Sequence, residues 1–248
     1  MAGHSKWKQI KRKKAVTDQR RGALFTKLIR EITVAAKQGG GDPAGNARLR
    51  AAIDAARAEN MPQDNIERAI KKGTGELAGV EYQDVTYEGY GPGGAAIIIE
   101  ATTDNANRTV AEIRYLFSRS GSSLGSANSV AWMFDRKAQI AVDAGRADED
   151  ATIEAALEAG ADDVVRDGEQ FVVTAQPTAL HAVQEALRAK RLPVVTAELA
   201  MLPKSTVKVE GADARALLKL VEALEELDDV AKVWSNFDID AEAMAAVE

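Results

Sequence analysis

The sequence predicts an α+β protein: an N-terminal three-helix domain followed by two ferredoxin-like βαββαβ domains, one inserted into the other. Three observations predict it. Apolar residues recur at helical spacing up to about residue 72. Beyond residue 80, short Val- and Ile-rich runs alternate with amphipathic stretches. The order strand, helix, strand, strand, helix, strand then occurs twice, the second set lying inside the first. The expected boundaries are 1–79 for a basic arm and helical domain, 80–135 plus 204–248 for the split domain, and 136–203 for the inserted one.

In the first region Leu24, Phe25, Leu28, Ile29, Ile32 and Ala36 mark one helix. "QGGGDPAGN" breaks it, and Asn46 suits the N-cap of the next, which turns Leu49, Ile53 and Ala56 inward. Pro62 suits the first turn of a third helix, with Ile66, Ala69 and Ile70 inward and Gly73 as its stop.

The split domain is expected to use "AAIIIEAT" (95–102) as a buried strand, a helix over 106–119 and "SVAWMFD" (129–135) as a strand. It resumes with "TVKVE" (206–210), a helix over 212–226 and "VAKVWSN" (230–236), while 81–90 reads as an extra edge strand. The inserted domain is expected to run through strands at 138–143, 162–167, 170–175 and 193–201, with helices at 148–159 and 177–190.

Charge is distributed unevenly along these regions. The chain holds 32 Lys and Arg against 38 Asp and Glu, a net of −6. Residues 1–75 nevertheless carry 17 basic and 7 acidic residues, and residues 76–248 carry 15 and 31. A basic end on an acidic body points to a polyanionic partner for that end. Cysteine is absent, which rules out disulfides and thiolate metal sites and fits a reducing cytosol. Neither an apolar run of membrane-spanning length nor an apolar signal-peptide core is present, so the expected location is cytoplasmic, with no membrane partner.

Two glycine motifs invite enzymatic readings and lack the context for them. "GYGPGG" (89–94) has the spacing of a dinucleotide fingerprint, but a strand rather than a helix is expected after it, so it reads as a hairpin turn. "GSSLG" (121–125) has the spacing of a nucleophile elbow around Ser123, yet it follows a helix, and His4 and His181 are the only histidines. "DAGRADEDA" (143–151) lacks calcium-loop spacing. No enzyme, metal or cofactor is expected.

The strongest signal is the stretch "GHSKWKQIKRKKAVTDQRR" (3–21), with eight basic residues and one acid. Such density neutralises phosphates and releases counterions, whatever the base sequence. Trp7, between Lys6 and Lys8, is placed to stack on a base or pack on a ribose. Two other readings stand beside this one: a solvated tail whose Trp7 and Ile10 dock on the bundle, and an import signal in "KRKK". Charge does not choose between DNA and RNA.

The opening "MAGHSKWKQIKRKKAVTDQRRGALFTKLIREI" resembles that of the YebC/PmpR family. "NMPQDNIERAIKKGTG" (60–75), "YEGYGPGGAAIIIEATTDNANRT" (87–109) and "WMFD" (132–135) extend the resemblance over essentially the whole chain. It implies a three-domain, non-enzymatic regulator linked to nucleic acid. Bacterial members are described as DNA-binding transcriptional regulators, and relatives that include mitochondrial translational activators are described as acting at the ribosome. The expected function is therefore DNA-binding transcription regulation, with ribosome-associated translation regulation through RNA as the alternative. Carried onto the matching N-terminal motif, the nucleic-acid contacts are Lys6, Trp7, Lys8, Lys11, Arg12, Lys13, Lys14, Arg20 and Arg21, followed by Lys27 and Arg30. The acidic α/β body is expected to orient that contact or to recruit a protein partner.

Overall fold

The structure is a computed structural model that describes residues 18–240, with side chains described from residue 22. Its described part divides into two compact units, Phe134–Lys204 and the remainder of the chain.

The larger unit begins with helices α1 (Asp18–Gly39), α2 (Ala47–Ala58) and α3 (Gln63–Gly73). Asn46 caps α2 as expected, its Oδ1 accepting from the Leu49 amide at 3.0 Å. Its Nδ2 donates to the Ala35 carbonyl at 2.7 Å and the Gly40 carbonyl at 2.9 Å, so one side chain also closes the end of α1. Ile32, Leu49, Ile53 and Ile66 form the helical core. Each such side chain removed from water contributes on the order of 1.5–3 kcal/mol.

The same unit continues with β1 (Gln83–Tyr90), β2 (Ala96–Thr103), α4 (Ala106–Arg119) and the two-residue β3 (Ser123–Leu124). The inserted unit supplies β4 (Phe134–Asp143), α5 (Glu149–Glu158), β5 (Ala161–Asp167), β6 (Gln170–Ala175), α6 (Leu180–Ala189) and β7 (Val194–Pro203). The chain then returns to the larger unit as β8 (Val207–Lys208), α7 (Gly211–Glu226), β9 (Val230–Ser235) and β10 (Phe237–Asp238).

The inserted unit has the strand order β5-β6-β4-β7, with every pairing antiparallel. Counted within the unit this is second, third, first, fourth, the ferredoxin-like arrangement. Alternate residues Ala138, Ile140 and Val142 of β4 and Phe171 and Val173 of β6 face Val183 and Leu187 of α6 in one core.

The split sheet has the order β3-β1-β2-β9, also antiparallel throughout. Its core joins Ile97 and Ile99 to Ile113, Phe117, Leu217, Val221 and Val233. Two strand assignments differ from expectation here. Residues 206–210 do not enter this sheet; only Val207 and Lys208 form a strand, parallel to Phe237 and Asp238. The place beside β2 is taken by β1, which reaches it through the tight 91–95 turn with eight paired residues. A hairpin partner costs little loop entropy, whereas 206–210 arrives only after the whole inserted unit. β1 is an edge over Gln83–Glu88, as expected, and acquires β3 on its outer side only at Gly89 and Tyr90.

Residues 129–133 are likewise not a strand. The buried Glu88 carboxylate accepts from the Asn128, Val130 and Ala131 amides, each at 2.8 Å, and folds this segment into a loop and a 3-10 turn at Ala131–Met133. Strand geometry starts only at Phe134, the first residue of the inserted unit. No described helix is long and apolar enough to cross a membrane.

Candidate nucleic-acid interface

Seven of the expected contact residues, Lys6, Trp7, Lys8, Lys11, Arg12, Lys13 and Lys14, lie outside the described residues. Arg20 and Arg21 fall in the first turn of α1.

Lys27 and Arg30 are turned toward the interior of the larger unit. Lys27 Nζ donates to the Glu225 carbonyl at the end of α7. Arg30 Nη1 donates to the Asp228 carbonyl and, at 2.7 Å, to Asp229 Oδ1. The guanidinium also lies 5.5 Å from the centre of the Tyr82 ring.

Asp229 is the centre of a network that no short motif announces. Its Oδ2 accepts from Arg108 Nη2 at 2.6 Å, Thr109 Oγ1 at 2.7 Å and Thr103 Oγ1 at 3.0 Å. Burial pushes the Asp229 carboxyl up, but the hydrogen bonds from Arg108, Thr109 and Thr103 and the charge of Arg30 outweigh it and hold the group below the ordinary carboxylate range. Its side chain is only 4% exposed, so it meets these partners where water screens little.

Arg48 is a second tie. It grips both oxygens of Glu31, at 2.8 and 3.0 Å, and donates to Asp84 Oδ2 at 2.6 Å and Gln38 Oε1 at 2.7 Å. Burial raises the Asp84 carboxyl, and the hydrogen bond and charge of Arg48 bring it down below its usual range. These two networks fasten the helical region to the split sheet.

Cations that face water lie elsewhere. Arg68, Lys71 and Lys72 are exposed on the face of α3 opposite buried Ile66 and Ala69, at the i, i+3, i+4 spacing of one helical stripe. Arg57 in the last turn of α2 is exposed as well. No ion pair to another described residue involves any of the four. They were absent from the expected contacts, although the alternation of "IERAIKK" (66–72) already separates an apolar face from a basic one.

"GYGPGG" forms the turn between β1 and β2, as expected, and "GSSLG" surrounds the short β3. Among the described residues no group of three or more His, Asp or Glu side chains is placed to hold a metal ion.

Residues 18–73 thus form a basic helical module tied to an antiparallel α/β sheet by one buried ion pair, Arg30–Asp229, and one more exposed one, Arg48–Asp84, with a further α/β unit inserted in the chain. The chain belongs to the TACO1/YebC family: residues 5–76 match its N-terminal domain and residues 82–237 its second and third domains. It is 64% identical over 245 residues, 99% of each chain, to a protein of Gemmatimonas aurantiaca named a probable transcriptional regulatory protein. A protein of Chlorobium luteolum with the same name is 54% identical over the full length of both chains. The crystal structure of a conserved hypothetical protein from Aquifex aeolicus superposes with a TM-score of 0.85 at 47% identity, covering 92% of this chain and 94% of that one. The family is one of regulators by name.

Proposed function

We propose that this chain is a non-enzymatic regulator of transcription that binds DNA through its basic arm and the exposed basic face of its helical domain. The observation that carries the reading is the 17 basic against 7 acidic residues within residues 1–75 of an otherwise acidic chain. The exposed stripe Arg68, Lys71 and Lys72 continues that charge on a folded surface. Lys27 and Arg30 are left out of the proposed surface, because their charged ends are held within the molecule. The names of the relatives support the transcriptional reading.

Phosphate contacts position a protein on a duplex but carry no base information. A regulator must still prefer its operator over random duplex by about 10³ or more. The acidic α/β part of the chain, in this proposal, supplies a protein partner or the orientation that converts phosphate affinity into preference.

The test compares the full chain with a variant carrying Lys11→Ala, Arg12→Ala, Lys13→Ala and Lys14→Ala. Binding to a promoter duplex, a random duplex and purified ribosomes is measured across salt concentrations. The proposal expects a promoter preference in the intact chain and a large loss of duplex affinity in the variant. Tight ribosome binding with only weak, sequence-blind duplex binding would overturn it in favour of translation regulation through ribosomal RNA.

A further inference from the structure

The inserted unit carries 13 acidic and 8 basic residues over 134–204, so its cations have no shortage of acidic partners. Lys137, Arg166, Arg188 and Lys204 are accordingly paired, with Asp162, Glu149, Glu185 and Asp135. Arg136, Arg146, Lys190 and Arg191 are exposed and form no ion pair to another described residue. Three of these four are gathered at one end of the sheet.

The gathering follows from the backbone. Val142 pairs with Val194 at the end of β4, and the Asp143 amide donates to the Pro193 carbonyl at 3.0 Å. The 143–146 turn is thereby laid beside the 190–193 loop that follows α6. On its other side the Ala144 amide donates to the Glu169 carbonyl at 2.9 Å, which adds the turn between β5 and β6 to the same end. Acidic Asp167 and Glu169 come from the β6 side, Lys190 and Arg191 from the β7 side, and Arg146 from the turn between. The two acids nearest Arg146 in sequence are engaged by amides: Asp143 Oδ1 accepts from Gly145 and Asp148 Oδ1 from Ala151, each at 2.9 Å.

The backbone of Arg191 supplies a second observation. Its φ is +58°, in the left-handed region. Helix α6 closes there with the Arg191 amide on the Arg188 carbonyl at 2.8 Å and the Leu192 amide on the Leu187 carbonyl at 3.0 Å. Helices α2, α4 and α5 also end on a left-handed residue, and there it is Asn60, Gly121 and Gly160. Glycine and asparagine enter that region readily, whereas arginine enters it at a cost. A cation does favour a helix C-terminus, but Arg188 in the last turn already supplies one. The fold alone therefore favours glycine at 191, and the guanidinium is useful outside the fold.

We propose that Arg146, Lys190 and Arg191 bind phosphate groups of a nucleic-acid backbone, giving the inserted unit a contact of its own. Guanidinium forks match phosphate oxygens in pairs, and the ammonium adds a point charge. No aromatic residue occurs in 143–148, 167–170 or 188–195, so the contact is to backbone and blind to base sequence. The inference rests on the nucleic-acid reading above and adds an anchor that the arm does not supply.

The test measures binding of the full chain to a fluorescein-labelled random DNA duplex and to a labelled RNA hairpin across salt concentrations. Arg146→Ala, Lys190→Ala and Arg191→Gly, combined, should lower the duplex slope of log affinity against log salt by about 2–3, each phosphate contributing about 0.9. Arg136→Ala, at the opposite end of β4, should leave the slope unchanged. A fall on the hairpin alone identifies RNA as the source of phosphate, a fall on the duplex alone DNA, and a fall on both either backbone. Arg191→Gly by itself should lower the slope yet raise the melting temperature by about 1–3 °C, because it removes a cation and relieves the left-handed backbone. Arg191→Lys should keep the slope. A lower melting temperature in Arg191→Gly, or unchanged slopes on both probes in the combined variant, overturns the proposal. Binding lost in the arm variant but indifferent to the combined variant overturns this site alone, and an intact chain that binds neither probe overturns it together with the reading beneath it.

Discussion

Arg30 and Asp229 meet at 2.7 Å although 199 residues separate them in the chain. The pair fastens α1 to the turn between α7 and β9, and Asp229 takes Arg108, 121 residues away, on its other oxygen. One buried carboxylate thus collects two cations and two hydroxyls from three elements of the larger unit, α1, β2 and α4.

Removing that carboxylate should be costly. In Asp229→Ala the Arg30 side chain, 14% exposed, loses its charge partner, and uncompensated buried charge typically costs about 3–5 kcal/mol. Arg108 is 43% exposed and can turn to water, so it adds little. The expected loss is about 3 kcal/mol, read from urea unfolding. Asp228→Ala, at an exposed side chain whose carbonyl alone bonds Arg30, should stay within about 0.5 kcal/mol of the wild type. Equal losses in the two variants would show that the carboxylate is not the anchor.

The same site predicts an acid dependence. Asp229 titrates below its ordinary range in the folded state, so the unfolded chain binds the proton first as pH falls. Its contribution is therefore complete above the unfolded carboxylate pKa, about 3.9, and is lost as pH drops through the lowered folded value. The stability deficit of Asp229→Asn relative to the wild type should be constant above about pH 5 and shrink below about pH 4. Unfolding curves across that window read the difference directly, and a deficit independent of pH would refute the assignment.

Local elements of the fold were legible in the sequence where one side chain or one apolar stripe decides them. The expected 106–119 helix is Ala106–Arg119, the 170–175 strand is Gln170–Ala175, and Asn46 caps α2. What escaped the sequence depends on distant partners. "SVAWMFD" has strand composition, but Glu88, some forty residues earlier, takes the amides a ladder would need. "TVKVE" has strand composition too, and the place beside β2 was already filled by a hairpin partner. For the candidate interface, the basic stretch was visible as charge density. Which cations are turned inward was not, because Lys27 and Arg30 meet their acceptors 198 residues or more along the chain.

Glycine at position 73 is required by packing and is not the expected helix stop: it is the last residue of α3, Thr74 is the C-cap, and the left-handed glycine is Gly75. A Cβ there would lie 2.3 Å from the Thr33 carbonyl oxygen and 2.7 Å from Ala36 Cβ, so α3 and α1 touch through this residue. Gly73→Ala should cost about 1–3 kcal/mol through forced separation of the two helices. Gly22, inside α1, has nothing within 4 Å of an added Cβ. Gly22→Ala should therefore stabilise by about 0.5–1 kcal/mol through helix propensity alone. Thermal unfolding of both variants checks the opposite signs, and the same sign in both would contradict the close approach.

The stripe on α3 and the inward cations of α1 should separate in a salt titration. Each phosphate neutralised contributes about 0.9 to the slope of log affinity against log salt on a duplex. Arg68→Ala, Lys71→Ala and Lys72→Ala, combined, should lower the slope by about 2–3 with little change in stability, since all three side chains are exposed. Lys27→Gln removes a cation whose Nζ is held by the Glu225 carbonyl, so it should lower stability and leave the slope unchanged. The measurement is duplex affinity between 50 and about 300 mM salt, a range over which several phosphate contacts change affinity by orders of magnitude. A slope that falls for Lys27→Gln and not for the triple variant would move the interface from α3 to α1.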